Sequence, residues 1–193
     1  MDGFDKSIYF DSVRESLFNG VMTQTQVTGQ NFILREWRNR FEFAGDHRHL
    51  SYMLATTFHE TAFTMEPITE YGSQSYLQGK DYWPYIGRGF VMITWEDNYR
   101  RASQELSLTG TRDLVDHPEL ALDSLIAARI LFRGMAEGWF TGKKLGQYFN
   151  ETKDDPVNAR QIVNGNDDDK LIAGYHEQFL DALEAARLET VSA

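Results

Sequence analysis

Two carboxylates in the stretch from 54 to 99 have the spacing for proton-transfer chemistry: Glu60, at the end of the run LATTFHE, and Glu70, ten positions further on. One carboxyl group on a helix and a second on the loop after it suit general acid and general base work on a glycosidic bond. The first delivers a proton to the leaving oxygen and the second takes one from water. Glu66 and Asp81 lie on the same loop and compete with Glu70 for the second role. Tyr71, Trp83 and Tyr85 are candidate platforms for sugar rings, whose C–H faces are apolar. Other chemistries fit poorly. His47-Arg48-His49 and His59-Glu60 invite a metal, but the zinc-protease pattern HExxH needs a histidine at 63, where the chain has Phe63. Gly87-Arg88-Gly89 lacks the rest of a dinucleotide or Walker pattern, so it reads as backbone running close to a substrate groove. The chain has no cysteine, hence no thiolate ligand, thiol nucleophile or disulfide. No metal and no cofactor are expected.

The elements that must position these groups are mostly helical. Phe10, Val13 and Leu17 share one face of a helix over 8–18, stopped by Asn19-Gly20. Thr23 or Thr25 is placed to cap a second helix, carrying Val27, Phe32, Ile33 and Trp37 to about Phe41. Asp46 is a suitable N-cap for a third. In that third helix Leu50, Met53, Leu54, Thr57 and Phe58 form an apolar stripe. At about 100° per residue, Glu60 falls beside Met53 and Thr56 at the stripe's edge. A carboxyl group there is partly desolvated, which favours the protonated form that a general acid needs. His59 falls near the opposite side. Residues 62–93, with Pro67, Pro84 and four glycines among short aromatic and aliphatic runs, read as a long loop bearing one or two short strands, a hairpin lobe. Thr94 opens a helix to about Leu106, and Thr-x-x-Asp at 94–97 is also a capping pattern. Asp123 caps an almost wholly apolar helix over 124–136. Short helices are expected over 143–149 and from Pro156 to Asn164-Gly165, where Asn164 is placed as a C-cap. The run Asp167-Asp168-Asp169 caps a last amphipathic helix. The expectation is a predominantly α-helical α+β protein of lysozyme-like, two-lobed architecture with a small strand-bearing lobe and a substrate cleft.

Composition bounds the rest. The 193 residues are read as a single catalytic domain, 1–193, with no separate wall-binding module. Hydrophobic content of 41% and charged content of 25% are ordinary for a globular chain. The net charge of −10 disfavours nucleic acid and anionic membranes as partners. No apolar run approaches the ~20 residues that span a bilayer, so no membrane insertion is expected. MDGFDKSIYF lacks a basic stretch followed by an apolar one, so no secretory signal is expected. A monomer made in the bacterial cytoplasm, acting on the cell wall after release, is the expectation.

Four ordered motifs then coincide: HET at 59–61, Glu70-Tyr71, YIGRGFVMIT…NY from Tyr85 to Tyr99, and RQIVNG from Arg160 to Gly165. Together they resemble glycoside hydrolase family 19, in particular its bacterial and phage lysozyme-like branch, and the likeness extends weakly over most of the chain. The resemblance implies that Glu60 is the general acid, that Glu70 is the general base, and that Thr94 helps hold the nucleophilic water. It assigns Asn98 and Asn164 to sugar binding. It places His59 in the HET motif by the substrate and Lys170 as a basic residue near the acid. Arg88 is either a brace for a catalytic carboxylate or a surface arginine. Met92 stands where the family usually carries a sugar-binding glutamine. The implied substrate is a β-1,4 glycan containing N-acetylglucosamine, bacterial peptidoglycan first and chitin second, cleaved with inversion. A non-catalytic glycan-binding relative is the rival from another class.

Overall fold

A computed structural model describes residues 4–41 and 45–187. Helix α1, Lys6–Leu17, begins where the Asp5 carboxylate accepts hydrogen bonds from the amides of Ser7 and Ile8, and it buries Tyr9 and Val13. Helix α2, Gln24–Phe41, starts with a reciprocal pair. Thr23 Oγ1 accepts from the Gln26 amide at 3.2 Å, and Gln26 Oε1 accepts from the Thr23 amide at 2.8 Å. Asp46 caps helix α3, His47–Glu60, in which every residue from Leu50 to Phe58 is buried. A helix apolar and buried nearly all round is an axial helix, and the others assemble about it. Its most extensive neighbour is the last helix, Asp169–Ala185, which also covers α1.

The strand-bearing lobe is smaller than the sequence suggests. Strand β1, Ile68–Thr69, pairs antiparallel with β2, Arg88–Gly89, with Ile68 opposite Gly89 and Thr69 opposite Arg88. Between them, where the sequence predicts only loop, lies a short helix α4, Gln74–Gln78, capped by Ser73. Gly89 has φ +86°, and a Cβ there would stand 2.9 Å from the Ala121 carbonyl oxygen, so this strand end meets the 3-10 turn Pro118–Leu122 only as glycine. Helix α5, Glu96–Glu105, follows. Helix α6, Ser124–Glu137, is capped by Asp123, buries eight residues and packs against α2.

Beyond α6 the expectations need correction. Instead of a helix over 143–149 there is one 3-10 turn, Leu145–Gln147, followed by strands β3, Phe149–Asn150, and β4, Lys153–Asp154, paired with Phe149 opposite Asp154. Asn150 and Thr152 hydrogen-bond locally across this turn, competing with helix. Pro156 is followed by only a 3-10 turn, Asn158–Ile162, whose C-cap is Val163 rather than Asn164. The last helix, α7, is Asp169–Ala185. Asp168 occupies its N-cap position with φ 56° and makes no side-chain capping bond. The core is one buried cluster running from Tyr9 in α1 to Ala186 after α7. No helix among the described residues is long and apolar enough to cross a membrane.

Candidate active site

Glu60 is the last residue of α3, where the apolar stripe gives way to a cleft of about 370 Å³. The cleft is lined by Glu60, the strip Val91 to Trp95, Asn98 on α5, Phe140 after α6, and Val163-Asn164 after the 3-10 turn. Thus Glu60, Thr94, Asn98 and Asn164, widely separated in the chain, share one cavity. A larger groove of about 530 Å³ between α1 and α2, with Lys6, Arg35 and Arg38 in its lining, shares no described residue with it and has no carboxylate among the described residues of its lining.

The Glu60 side chain is 16% exposed, and its Oε1 accepts a 2.6 Å hydrogen bond from Arg160, whose own side chain is 4% exposed. Arg160 Nε also donates to the Asp167 carbonyl at 3.0 Å. A buried guanidinium bonded at both ends holds the Glu60 carboxyl group in one orientation at the cleft wall. Arg160 belongs to the RQIVNG motif, but no role was expected of it. Its signal was a lone arginine among apolar residues of a buried turn.

Thr94 does not cap α5. The cap position is Trp95, at φ 75° without a side-chain bond, while Thr94 Oγ1 donates to the Met92 carbonyl at 2.9 Å. Asn98 Nδ2 donates to the Thr94 carbonyl at 2.8 Å. The Asn164 amide donates to the Arg160 carbonyl at 3.0 Å, and its Oδ1 accepts from the Gly165 amide at 2.9 Å.

Glu70 is not among the lining residues. It follows β1, where its amide donates to the Gly87 carbonyl at 2.8 Å, and its Oε1 is buried without a hydrogen bond to the protein. A Cβ on Gly87 would stand 3.3 Å from Glu70 Oε2 and 3.4 Å from Met92 Sδ, so carboxylate and thioether converge over this glycine. Burial first, then the Glu70 charge, raises the Tyr82 pKa.

The remaining expected site residues lie elsewhere. Arg88 is buried, and its guanidinium donates to the carbonyls of Pro84 and Ile86 and to the Tyr99 hydroxyl, so it braces backbone rather than a carboxylate. The Tyr99 hydroxyl donates in turn to the Ile86 carbonyl at 2.7 Å, and burial pushes its pKa up to about 12. Tyr85 is partly buried, packing on Tyr99 at 5.5 Å against the core and donating to the Val115 carbonyl, and it does not line the cleft. Tyr71 and Trp83 are exposed but outside the cleft lining. His59 Nε2 stands 3.5 Å from Asp168 Oδ2, and Lys170 is exposed on α7; neither lines the cleft. Two aromatics do line it, Phe140 and Trp95, the latter 52% exposed and edge-on to Tyr82 at 5.2 Å. Trp95 is not among the platforms the sequence suggests, although it is the one large apolar residue in the polar run 94–98.

No protein-family model matches the sequence, and no characterised protein matches it significantly by sequence. Solved structures do match in fold. Chitinase C from Streptomyces griseus HUT6037 superposes with a TM-score of 0.60 at 17% identity, over 98% of this chain and 80% of that one. A bacterial family 19 chitinase gives 0.57 at 18% identity, over 98% and 99%. The family 19, class IV chitinase from Zea mays gives 0.56 at 16% identity, over 92% and 94%. The class of protein defined here is therefore structural: the lysozyme-like α+β fold of the family 19 chitinases.

Proposed function

We propose that the chain is a glycosidase that hydrolyses β-1,4 linkages in an N-acetylglucosamine-containing glycan, with bacterial peptidoglycan as its substrate. Glu60 gives its proton to the leaving glycosidic oxygen as the bond to the anomeric carbon breaks. A water attacks that carbon from the opposite face, and Glu70 takes the water's proton. Thr94 helps position the water, while Asn98 and Asn164 bind the sugars and Trp95 offers a stacking face. The observation that carries this reading is the cleft itself: Glu60, held by buried Arg160, shares one cavity with Thr94, Asn98 and Asn164 in a chain with a family 19 chitinase fold.

The chitinase neighbours favour chitin as a second reading. The test is digestion of purified peptidoglycan and chitin oligomers side by side, with mass spectrometry of the new reducing ends. Glu60→Gln keeps an oxygen for Arg160 but has no acid proton, so it should fold normally and lose about 10²–10⁴ of the rate. A folded Gln variant with near wild-type activity removes Glu60 from the mechanism.

A further inference from the structure

Where the cleft lining is not polar it is aliphatic or aromatic, and Met92 is the part of that wall beside the proposed base. Three observations set this residue apart. Its backbone lies at φ 51°, a region that a non-glycine residue keeps only where its surroundings enforce it. The enforcement is visible: the Arg88 and Ile93 amides and carbonyls pair with each other at 3.2 and 2.9 Å, closing the turn, and Thr94 Oγ1 holds the Met92 carbonyl. The side chain held by this turn lines the cleft, and its sulfur converges with Glu70 Oε2 over Gly87.

A thioether has no hydrogen to donate and accepts weakly. A sugar hydroxyl pressed against it loses water and gains no bond, whereas a capped oxygen bearing a methyl group gains contact. The two glycans of the proposed reaction differ at this kind of group. Alternate sugars of peptidoglycan carry a lactyl ether at O3, where chitin has a free hydroxyl. Resting on the glycosidase reading above, we propose that Met92 is a specificity-determining residue that makes the cleft prefer a glycan with lactyl-capped sugars over one with free 3-hydroxyls.

The test compares kcat/KM on uncrosslinked peptidoglycan strands and on chitin oligomers of equal length for wild type, Met92→Gln and Met92→Leu. The ratio of the two substrates does not depend on how much of a variant is folded. Wild type should favour the peptidoglycan strands. Gln, nearly the same length but carrying a donor, should move the ratio toward chitin by about tenfold or more, and Leu should keep the wild-type ratio. An unchanged ratio in Met92→Gln overturns the proposal. So does a Leu shift as large as the Gln shift, or a wild-type preference for chitin. Hydrolysis of neither glycan by wild type is a separate result, and it overturns the glycosidase reading itself.

Discussion

His176 makes the stability of the α3–α7 interface depend on pH. The ring is 2% exposed, packed against Tyr52 and Phe149, and its Nδ1 shares a 2.8 Å hydrogen bond with Ser51 Oγ on α3. Burial first, and the nearby Arg48 charge second, push its pKa from 6.5 to about 4. The unfolded chain therefore binds this proton near pH 6.5 while the folded chain refuses it until about pH 4. Stability is fully present above pH 6.5 and is lost as pH falls through that window. At 1.36 kcal/mol per unit, going from pH 7 to pH 4.5 costs about 2 kcal/mol through this residue alone. His176→Asn keeps a polar group in reach of Ser51 and cannot titrate. Urea unfolding of both proteins at the two pH values, followed by far-UV circular dichroism, isolates the effect, because all other titrating groups are common to both. Wild type should lose about 2 kcal/mol more than His176→Asn over that interval. Equal losses would refute the reasoning that His176 is buried in its neutral form.

Arg160→Met removes the cation from a buried pair and leaves the Glu60 carboxylate facing a thioether. It should cost about 3 kcal/mol in urea unfolding, and Arg160→Met combined with Glu60→Met should recover a large part of that. Gly29→Ala places a Cβ 1.7 Å from the Met65 carbonyl oxygen, which is backbone and does not swing aside. It should destabilise by about 3 kcal/mol or abolish folding, measured as a lowered thermal midpoint or loss of soluble yield. Glu60 closes α3 and Glu70 follows β1, so the two carboxyl groups sit on separate elements, and the proposed mechanism places a water between the sugar and Glu70. The first product from a β-linked chain should then be the α-anomer, seen by proton NMR before mutarotation; a β-anomer appearing first would make Glu70 a nucleophile or remove it from the reaction.

Much of this molecule is legible in the chain, wherever a local rule had no competitor. Asp46 and Asp123 cap the helices they precede because each stands alone before a strongly periodic apolar run. The buried run from Leu50 to Phe58 placed Glu60 at the margin of the core, where the cleft begins. Legibility failed where side chains compete locally with the helix or where distant segments decide. Asn150 and Thr152 turn the chain into β3 and β4 where apolar spacing suggested helix. Tyr85 reads as a sugar platform, and Arg88 as a brace for a carboxylate or a surface arginine, by sequence alone. Their fate rests on Tyr99 and Val115, partners whose approach depends on how α5 packs and no spacing rule reveals. Arg160 went unassigned because its partner is a hundred positions away.

That separation has a consequence for the order in which the protein acquires its chemistry. Synthesis runs from the N-terminus, so Glu60 leaves the ribosome long before Arg160, 100 positions later, and before the Val163-Asn164 wall. Helix α3 also lacks its main packing partner, α7, until Asp169–Ala185 has emerged. A nascent chain, or one cut short before 160, carries the acid without the guanidinium that orients it and without one side of the cleft. The proposed cleft therefore cannot close before residue 164 has emerged, and a chain cut short before 160 should be inert toward the glycan that the whole chain is proposed to cut.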